Sequence, residues 1–211
     1  MDLIGLDFSI NKPAATIFHN DMYYFMSWPY GLPDKVVAVY ENYGVRIIKR
    51  TDDKIKGDNI SEQMRYQVKN SVYLAKLIFD SLLQYLDKDT IIGFEGLSYA
   101  SSGDVVLQLG GYKYMLMNEL SKKVPLKNMF TYSPQTVKSI AGCAKRGMGK
   151  KEMIEAFISK GPHCIFNHEI KENRTLFTKK GRNGNINFIE HLDDVCDSYW
   201  VLETMRVKQS I

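Results

Sequence analysis

The stretch that decides the fold is Leu3-Ile-Gly-Leu-Asp-Phe-Ser-Ile-Asn-Lys-Pro-Ala-Ala-Thr-Ile-Phe18. Two apolar runs separated by an Asn-Lys-Pro turn predict a strand that turns and returns. The first run contains a single carboxylate, Asp7, at a position where a strand normally buries its side chain. A carboxylate is rarely buried without a partner. Taken alone, Asp7 is equally consistent with a structural salt bridge or turn cap and with a functional site.

Composition sets the broad class of the protein. The chain has 211 residues, of which 45% are hydrophobic, enough for a full core. The formal charge of +4 is mild, so it permits nucleic-acid binding without indicating it. Three cysteines do not make a disulfide framework and suit a reducing compartment, which predicts a cytoplasmic location. We expect neither a secretory signal nor a membrane span, because no apolar run approaches about 18 residues.

Periodicity along the chain indicates a mixed α/β fold. Residues 3–8, 14–19 and 22–27 predict an antiparallel meander, and 36–40 with 45–48 predict a further hairpin. Asn59 and Glu62 resemble a capping box that starts a helix reaching about residue 86. The later predicted segments are strands at 90–95 and 128–132, helices at 103–123, 150–160 and 186–208, a helix after Ser133-Pro134, a basic loop at 142–149 and a polar loop at 161–185. Strands followed by alternating helices and strands predict one domain spanning residues 1–211.

Three further carboxylates repeat the puzzle of Asp7. Glu95 ends the apolar run 90–94, while Asp194 and Asp197 lie three residues apart on the final predicted helix, off its apolar stripe. At that spacing their Cβ atoms are roughly 5 to 6 Å apart, and two like charges so close are unfavourable unless a cation lies between them. An isolated pair of this kind is usually a solvated surface. The whole set instead predicts an oxygen-rich site for Mg²⁺, with Mn²⁺ as a substitute, and hence two-ion phosphodiester hydrolysis.

The order of these motifs resembles the RuvC family of Holliday-junction resolvases, within the RNase H-like nuclease superfamily. The segments that carry the resemblance are Ile4-Gly-Leu-Asp7, Gly93-Phe-Glu95, Val106-Leu-Gln-Leu-Gly-Gly111, Tyr132-Ser-Pro-Gln-Thr-Val-Lys138, Gly147-Met-Gly-Lys-Lys151 and Asp194-Val-Cys-Asp197-Ser. The resemblance implies an RNase H-like mixed five-stranded sheet with helices on both faces. The chain departs from the family pattern in the bulky Phe8-Ser-Ile-Asn11 turn and in a possible insertion at residues 30–58.

The resemblance also implies an activity and the residues that perform it. It implies a Mg²⁺-dependent endonuclease for four-way junctions and other branched DNA, acting as a homodimer. The metal ligands would be Asp7, Glu95, Asp194 and Asp197, and Lys151 or, second, Lys150 would contact the scissile phosphate. Asp193 is an alternative to Asp194, because it pairs with Asp197 at a spacing of four.

Basic residues in the predicted loops are candidates for binding DNA phosphates. They are Lys145, Arg146, Lys150, Lys151, Lys179, Lys180 and Arg182. Such contacts position DNA without reading its sequence. Two alternatives stay open: an RNase H-like nuclease for RNA or RNA–DNA hybrids, and a non-catalytic junction-binding protein. The residue bias is compatible with a phage origin, which would place the protein in the host cytoplasm.

Overall fold

The structure is a computed structural model that describes residues 1–52, 59–97, 103–181 and 183–211. The strands are β1 (Leu3–Asp7), β2 (Ala14–His19), β3 (Met22–Ser27), β4 (Val45–Ile47), β5 (Ile91–Glu95), β6 (Met129–Tyr132), β7 (Thr178–Lys180) and β8 (Ile186–Phe188). The helices are α1 (Asp34–Asn42), α2 (Ile60–Leu82), α3 (Gly103–Leu120), α4 (Pro134–Ala141), α5 (Lys150–Lys160), α6 (Ile165–Glu172) and α7 (Leu192–Gln209).

The central sheet has the strand order β4-β3-β2-β1-β5-β6. The predicted meander is confirmed, because β1, β2 and β3 pair antiparallel. Strand β5 pairs parallel with β1 on its other side, and β6 pairs parallel with β5. The mixed α/β class is therefore confirmed, and within the described residues the sheet has six strands where five were expected.

The sixth strand, β4, lies in the predicted segment 45–48, but the other half of the predicted hairpin was misassigned. Residues 36–40 were predicted as a strand, but they lie in α1, which begins after Pro33 and buries Val37 and Tyr40 three residues apart. All five residues of this segment are apolar and fit a helical period as well as a buried strand, so the pattern could not separate the two. Strand β4 exists, but it pairs parallel with β3 and does not form a hairpin. Residues 53–58 of the possible insertion lie outside the described residues.

The region 161–185 was wrongly predicted to be a loop. It contains α6 and β7, and the residues between them bury Phe177. The final helix begins at Leu192 and not near residue 186, because β7 and β8 first form a short antiparallel ribbon. Polar side chains surround each of these short elements, so their few buried residues leave little periodic signal.

Helices cover both faces of the sheet. On one face, α2 and α3 pack against residues such as Ile4, Leu6 and Phe94, and on the other α7 packs against β1, with α4 and α5 beside α7. Asn59 caps α2 as predicted, since its side chain accepts a hydrogen bond from the backbone N–H of Glu62 at 3.0 Å. None of the described helices is long and apolar enough to cross a membrane.

The contact between α7 and β1 is unusually close because of Gly5. A Cβ atom at this position would lie 2.5 Å from the backbone nitrogen of Leu202 and would also overlap the carbonyl oxygen of Ser198. The contact is reinforced by a buried hydrogen bond of 2.8 Å between the hydroxyl groups of Thr16 and Ser198. Only a residue without a side chain allows the helix to approach the sheet this closely.

We expect Gly5→Ala to lower the free energy of unfolding by about 3 kcal/mol or more, because the added methyl group meets backbone that no rotamer change can move. Gly111→Ala is the matched control. A Cβ at Gly111 would enter open space on α3, so alanine there should raise stability by about 0.5 to 1 kcal/mol. Urea unfolding followed by circular dichroism measures both, and similar stabilities for the two variants would contradict this account of the contact.

Candidate active site

Strand alternation brings two of the predicted carboxylates to the same face of the sheet. Gly5 and Gly93 both face α7, where Cβ atoms on them would meet Leu202 and Met205. Side chains two residues further along a strand point to the same face. Asp7 and Glu95 therefore also face the α7 side, at the carboxyl ends of neighbouring parallel strands.

Helix α7 brings the other two carboxylates to this edge. It runs opposite to β1, since Leu3 packs with Leu202 and Met205 while Gly5 meets Ser198. Asp194 precedes Ser198 by one turn, which is about 6 Å along the helix axis. Asp7 lies about as far beyond Gly5 along the strand. The amino-terminal turns of α7 thus meet the ends of β1 and β5.

The carboxylates interact electrostatically in a buried setting. Burial raises the pKa of Asp7 well above its ordinary value, and the charges of Glu95, Asp197 and Asp194 raise it further. The pKa of Asp197 is raised in the same way, by burial first and then by Glu95 and the neighbouring aspartates. Burial also raises the pKa of Glu95, against the attraction of Lys138 and Lys113. Four acidic groups from three elements share one low-dielectric site.

The site has unsatisfied oxygen donors that fit a hard cation. In the described part of the chain, Asp194 Oδ2 and Asp197 Oδ1 are buried without a hydrogen-bond partner. Buried polar atoms normally have a partner, so these two oxygens are open to an additional ligand. Carboxylate oxygens are the donors that Mg²⁺ and Mn²⁺ prefer. No group of three or more His, Cys, Asp or Glu side chains among the described residues is already arranged to hold an ion, so binding would require side-chain adjustment.

The structure distinguishes Asp194 from its neighbour Asp193. Asp194 is buried and is among the charges that raise the pKa values of Asp7 and Glu95. Asp193 instead accepts a salt bridge from Lys150, and its charge acts on Asp197. Of these two neighbours, Asp194 is therefore the one whose charge acts on Asp7 and Glu95.

The predicted basic residues fall around this edge to different degrees. Lys150 contacts Asp193 and its charge also lowers the pKa of Asp197, whereas Lys151 is exposed in the first turn of α5. Lys145 and Arg146 are exposed in the turn before α5. In the β7–β8 ribbon, Lys179 forms a salt bridge of 2.6 Å with Glu190 and Lys180 is exposed, while Arg182 lies outside the described residues.

Sequence reasoning missed three residues at the site. Lys138 on α4 and Lys113 on α3 both act on the charge of Glu95, and burial lowers the pKa of Lys113 to about 8. His191 adopts a left-handed conformation before α7, and its Nδ1 atom lies 3.6 Å from Asp194 Oδ2. Of the three, only Lys113 could have been identified from the sequence, because a lysine is unusual within an apolar helix face such as that of Leu109, Tyr112 and Leu116.

The fold, with this site at its edge, is similar to that of solved structures. The chain matches Thermus thermophilus RuvC with a TM-score of 0.53 and 9% identity, covering 99% of this chain and 97% of that chain. It also matches T. thermophilus RuvC in complex with Holliday junction substrate, with a TM-score of 0.54, 9% identity and coverage of 99% and 96%. No protein-family model and no curated protein matches the chain. The resemblance inferred from the motifs is thus confirmed at the level of the fold.

The raised pKa of Asp7 predicts how stability depends on pH. The pKa of Asp7 in the folded protein exceeds its ordinary value of 3.8, so the folded state binds this proton more tightly than the unfolded state does. The stability of the metal-free protein therefore falls as the pH rises from 3.8 to the pKa of folded Asp7. We expect Asp7→Asn to unfold at a higher temperature than wild type near pH 7 in EDTA, and the difference to shrink near pH 4. Differential scanning calorimetry measures this, with Asp89→Asn as an exposed control that should change little. A less stable Asp7→Asn at pH 7 would contradict the crowding of charges.

Proposed function

We propose that this protein is a metal-dependent endonuclease that cleaves branched DNA, acting as a Holliday-junction resolvase. The observation that carries the proposal is the meeting of Asp7 and Glu95 with Asp194 and Asp197 at one edge of a RuvC-like sheet. A structural neighbour in complex with Holliday junction substrate favours branched DNA over an RNA–DNA hybrid. The whole chain, residues 1–211, would act as one nuclease domain.

The acidic edge would hold Mg²⁺, or Mn²⁺ in its place. Asp7, Glu95, Asp194 and Asp197 are the proposed ligands, and the unpartnered oxygens of the last two support this. When bound, such ions activate a water nucleophile and stabilise the leaving oxygen of a phosphodiester. The protein's own part is to keep the acidic oxygens close together and largely out of water, which the packing of α7 on β1 accomplishes.

Basic side chains would offset the repulsion between the acidic edge and DNA phosphates. Lys151 is the proposed contact to the scissile phosphate, because it is exposed at the start of α5, next to the residue that already reaches Asp193. Further exposed basic residues occur before and after Lys151 in the chain. They are Lys145, Arg146 and Lys180. Lys150 and Lys179 would have to exchange their carboxylate partners for phosphate, and Arg182 belongs to the same proposed surface.

We expect wild-type protein with Mg²⁺ to place paired nicks in a synthetic four-way junction, and Asp7→Asn and Asp194→Asn to lose about a thousandfold in rate, since each removes charge stabilisation worth several kcal/mol. Asp193→Asn is the matched control, because the Asp193 carboxylate is paired with Lys150, and it should stay within about tenfold of wild type.

Denaturing gels of junctions labelled on each strand measure the nicks, with linear duplex and RNA–DNA hybrid run in parallel. Equal nicking by wild type and Asp7→Asn would overturn the assignment of the site. Preferential cleavage of the hybrid would assign the protein to the other branch of the superfamily, and binding without cleavage would make it a structural junction binder.

We further propose that the protein is a homodimer that pairs through α2. Its first half exposes four apolar side chains: Ile60 (75% exposed), Met64 (58%), Val68 (58%) and Val72 (44%). Met64, Val68 and Val72 have the three-and-four spacing that predicts a core face, but among the apolar residues of the helix only later ones, such as Leu74 and Ile78, are buried. Neighbouring α3 adds exposed Leu107 and Tyr114. An apolar surface of this kind is typical of an interface, and symmetric cleavage of a junction needs two active sites.

We expect Val68→Glu to convert the dimer to a monomer, because a charge at the centre of an apolar interface cannot be solvated there. Leu126→Glu is the control, since Leu126 is 62% exposed but lies outside α2 and α3. Sedimentation velocity measures the mass of each species. A wild type that stays monomeric at micromolar concentration, or a Val68→Glu variant that stays dimeric, would exclude this interface.

A further inference from the structure

Lys113 is a buried cation behind the acidic edge. It lies on α3, which covers the sheet face opposite α7, and only 4% of its surface is exposed. Its neighbours along the helix, Tyr112 and Leu116, are core residues. The side chain extends toward the carboxyl end of β5, where Glu95 is the last residue of the strand.

The ammonium group makes specific contacts at this strand end. Lys113 Nζ donates a hydrogen bond to the main-chain oxygen of Glu95 at 2.9 Å and contacts Thr131 Oγ1 of β6 at 3.4 Å. It also lies 5.2 Å from the centre of the Phe94 ring, within the range of a cation–π interaction. One ammonium therefore joins the last residue of β5 to the neighbouring strand.

Packing alone does not account for a lysine at this position. A buried ammonium is costly to desolvate, and an apolar side chain of similar length would fill the space beside Phe94 without that cost. Lys113 donates to uncharged oxygens of Glu95 and Thr131, and the negative charge that acts on it is the Glu95 carboxylate. The Lys113 ammonium thus interacts with both the main-chain oxygen and the carboxylate charge of Glu95.

We propose that Lys113 is a positioning residue that holds the end of β5 so that the Glu95 carboxylate faces Asp7 and the α7 aspartates. This proposal rests on the proposed nuclease function. Two hydrogen bonds hold the strand end. The Lys113 ammonium donates one to the main-chain oxygen of Glu95, and the backbone N–H of Gly96 donates the other to the main-chain oxygen of Tyr132 at 2.6 Å. Because the acidic groups come from separate elements, a small shift of β5 would move Glu95 away from the others. Residues that orient metal ligands in this way typically change affinity or activity about tenfold to a hundredfold when mutated.

Amide hydrogen exchange of the metal-free protein tests the positioning directly. Lys113→Met keeps the length and apolar contacts of the side chain but removes the donor. We expect exchange at Gly96 to accelerate about tenfold, the equivalent of one lost hydrogen bond to a charged group. Lys127→Met, at an exposed lysine before β6, should leave that exchange unchanged. Unchanged exchange at Gly96 in Lys113→Met would overturn the proposal.

Metal binding and kinetics separate positioning from general stability. We expect Lys113→Met to bind Mn²⁺ about tenfold more weakly by calorimetry and to lose about tenfold in kcat on junctions, with KM and junction binding in EDTA near wild type. Lys113→Arg, which restores a cationic donor, should recover part of the Mn²⁺ affinity. A lower melting temperature with wild-type Mn²⁺ affinity would show a merely structural lysine and overturn the proposal.

A second variant and the metal-free measurement cover the cases in which Lys113→Met is unfolded or the protein is not a nuclease. If Lys113→Met does not fold, Lys113→Gln keeps a polar side chain that is too short to reach the Glu95 oxygen, and wild-type Gly96 exchange and Mn²⁺ affinity in that variant would overturn the proposal. If wild-type protein neither binds Mn²⁺ nor cleaves junctions, the nuclease function fails, while the Gly96 exchange still decides whether Lys113 holds the strand end.

Discussion

The arrangement of this protein depends on the contact of α7 with β1 through Gly5. Since no side chain separates them, the helix backbone lies directly on the strand, and the hydrogen bond between Thr16 and Ser198 fixes its position along β2. That contact sets the register between α7 and the sheet. Once Ser198 is above Gly5, Asp194 and Asp197 lie at the sheet edge where Asp7 ends β1. The acidic site is thus a consequence of how closely one helix packs.

Gathering these carboxylates lowers stability, and the surrounding structure has to offset that cost. Burial and mutual repulsion raise the pKa values of Asp7, Glu95 and Asp197. Cations approach from several sides: Lys150 at Asp193, Lys138 from α4, and Lys113 from behind the sheet. Two hydrophobic cores, one on each face of the sheet, supply the packing that holds a repulsive edge together. Active sites commonly sacrifice stability in this manner for function.

Features that depend on neighbouring residues could be predicted from the sequence, whereas features that depend on contacts between distant segments could not. Asn59 and Ser133 cap α2 and α4 as their sequences indicate, because a cap involves only the next few residues. Residues 36–40 were misassigned, since a few apolar residues fit a strand as well as one turn of a helix. The exposed stripe on α2 has the pattern of a core face, and only the position of the helix over the sheet reveals that its first half extends beyond the core.

The sequence by itself determined the strand meander, the caps of α2 and α4 and the candidate acidic residues, because turns, caps and alternation are encoded over a few neighbouring positions. The tertiary structure decided which acidic residues meet. Asp193 and Asp194 are adjacent in sequence, but the packing of α7 turns one toward Asp7 and leaves the other with Lys150. It also turned Lys113 from a surface-type residue into a buried support for Glu95. Desolvation and charge coupling depend on groups brought together from distant parts of the chain, and no local pattern records them.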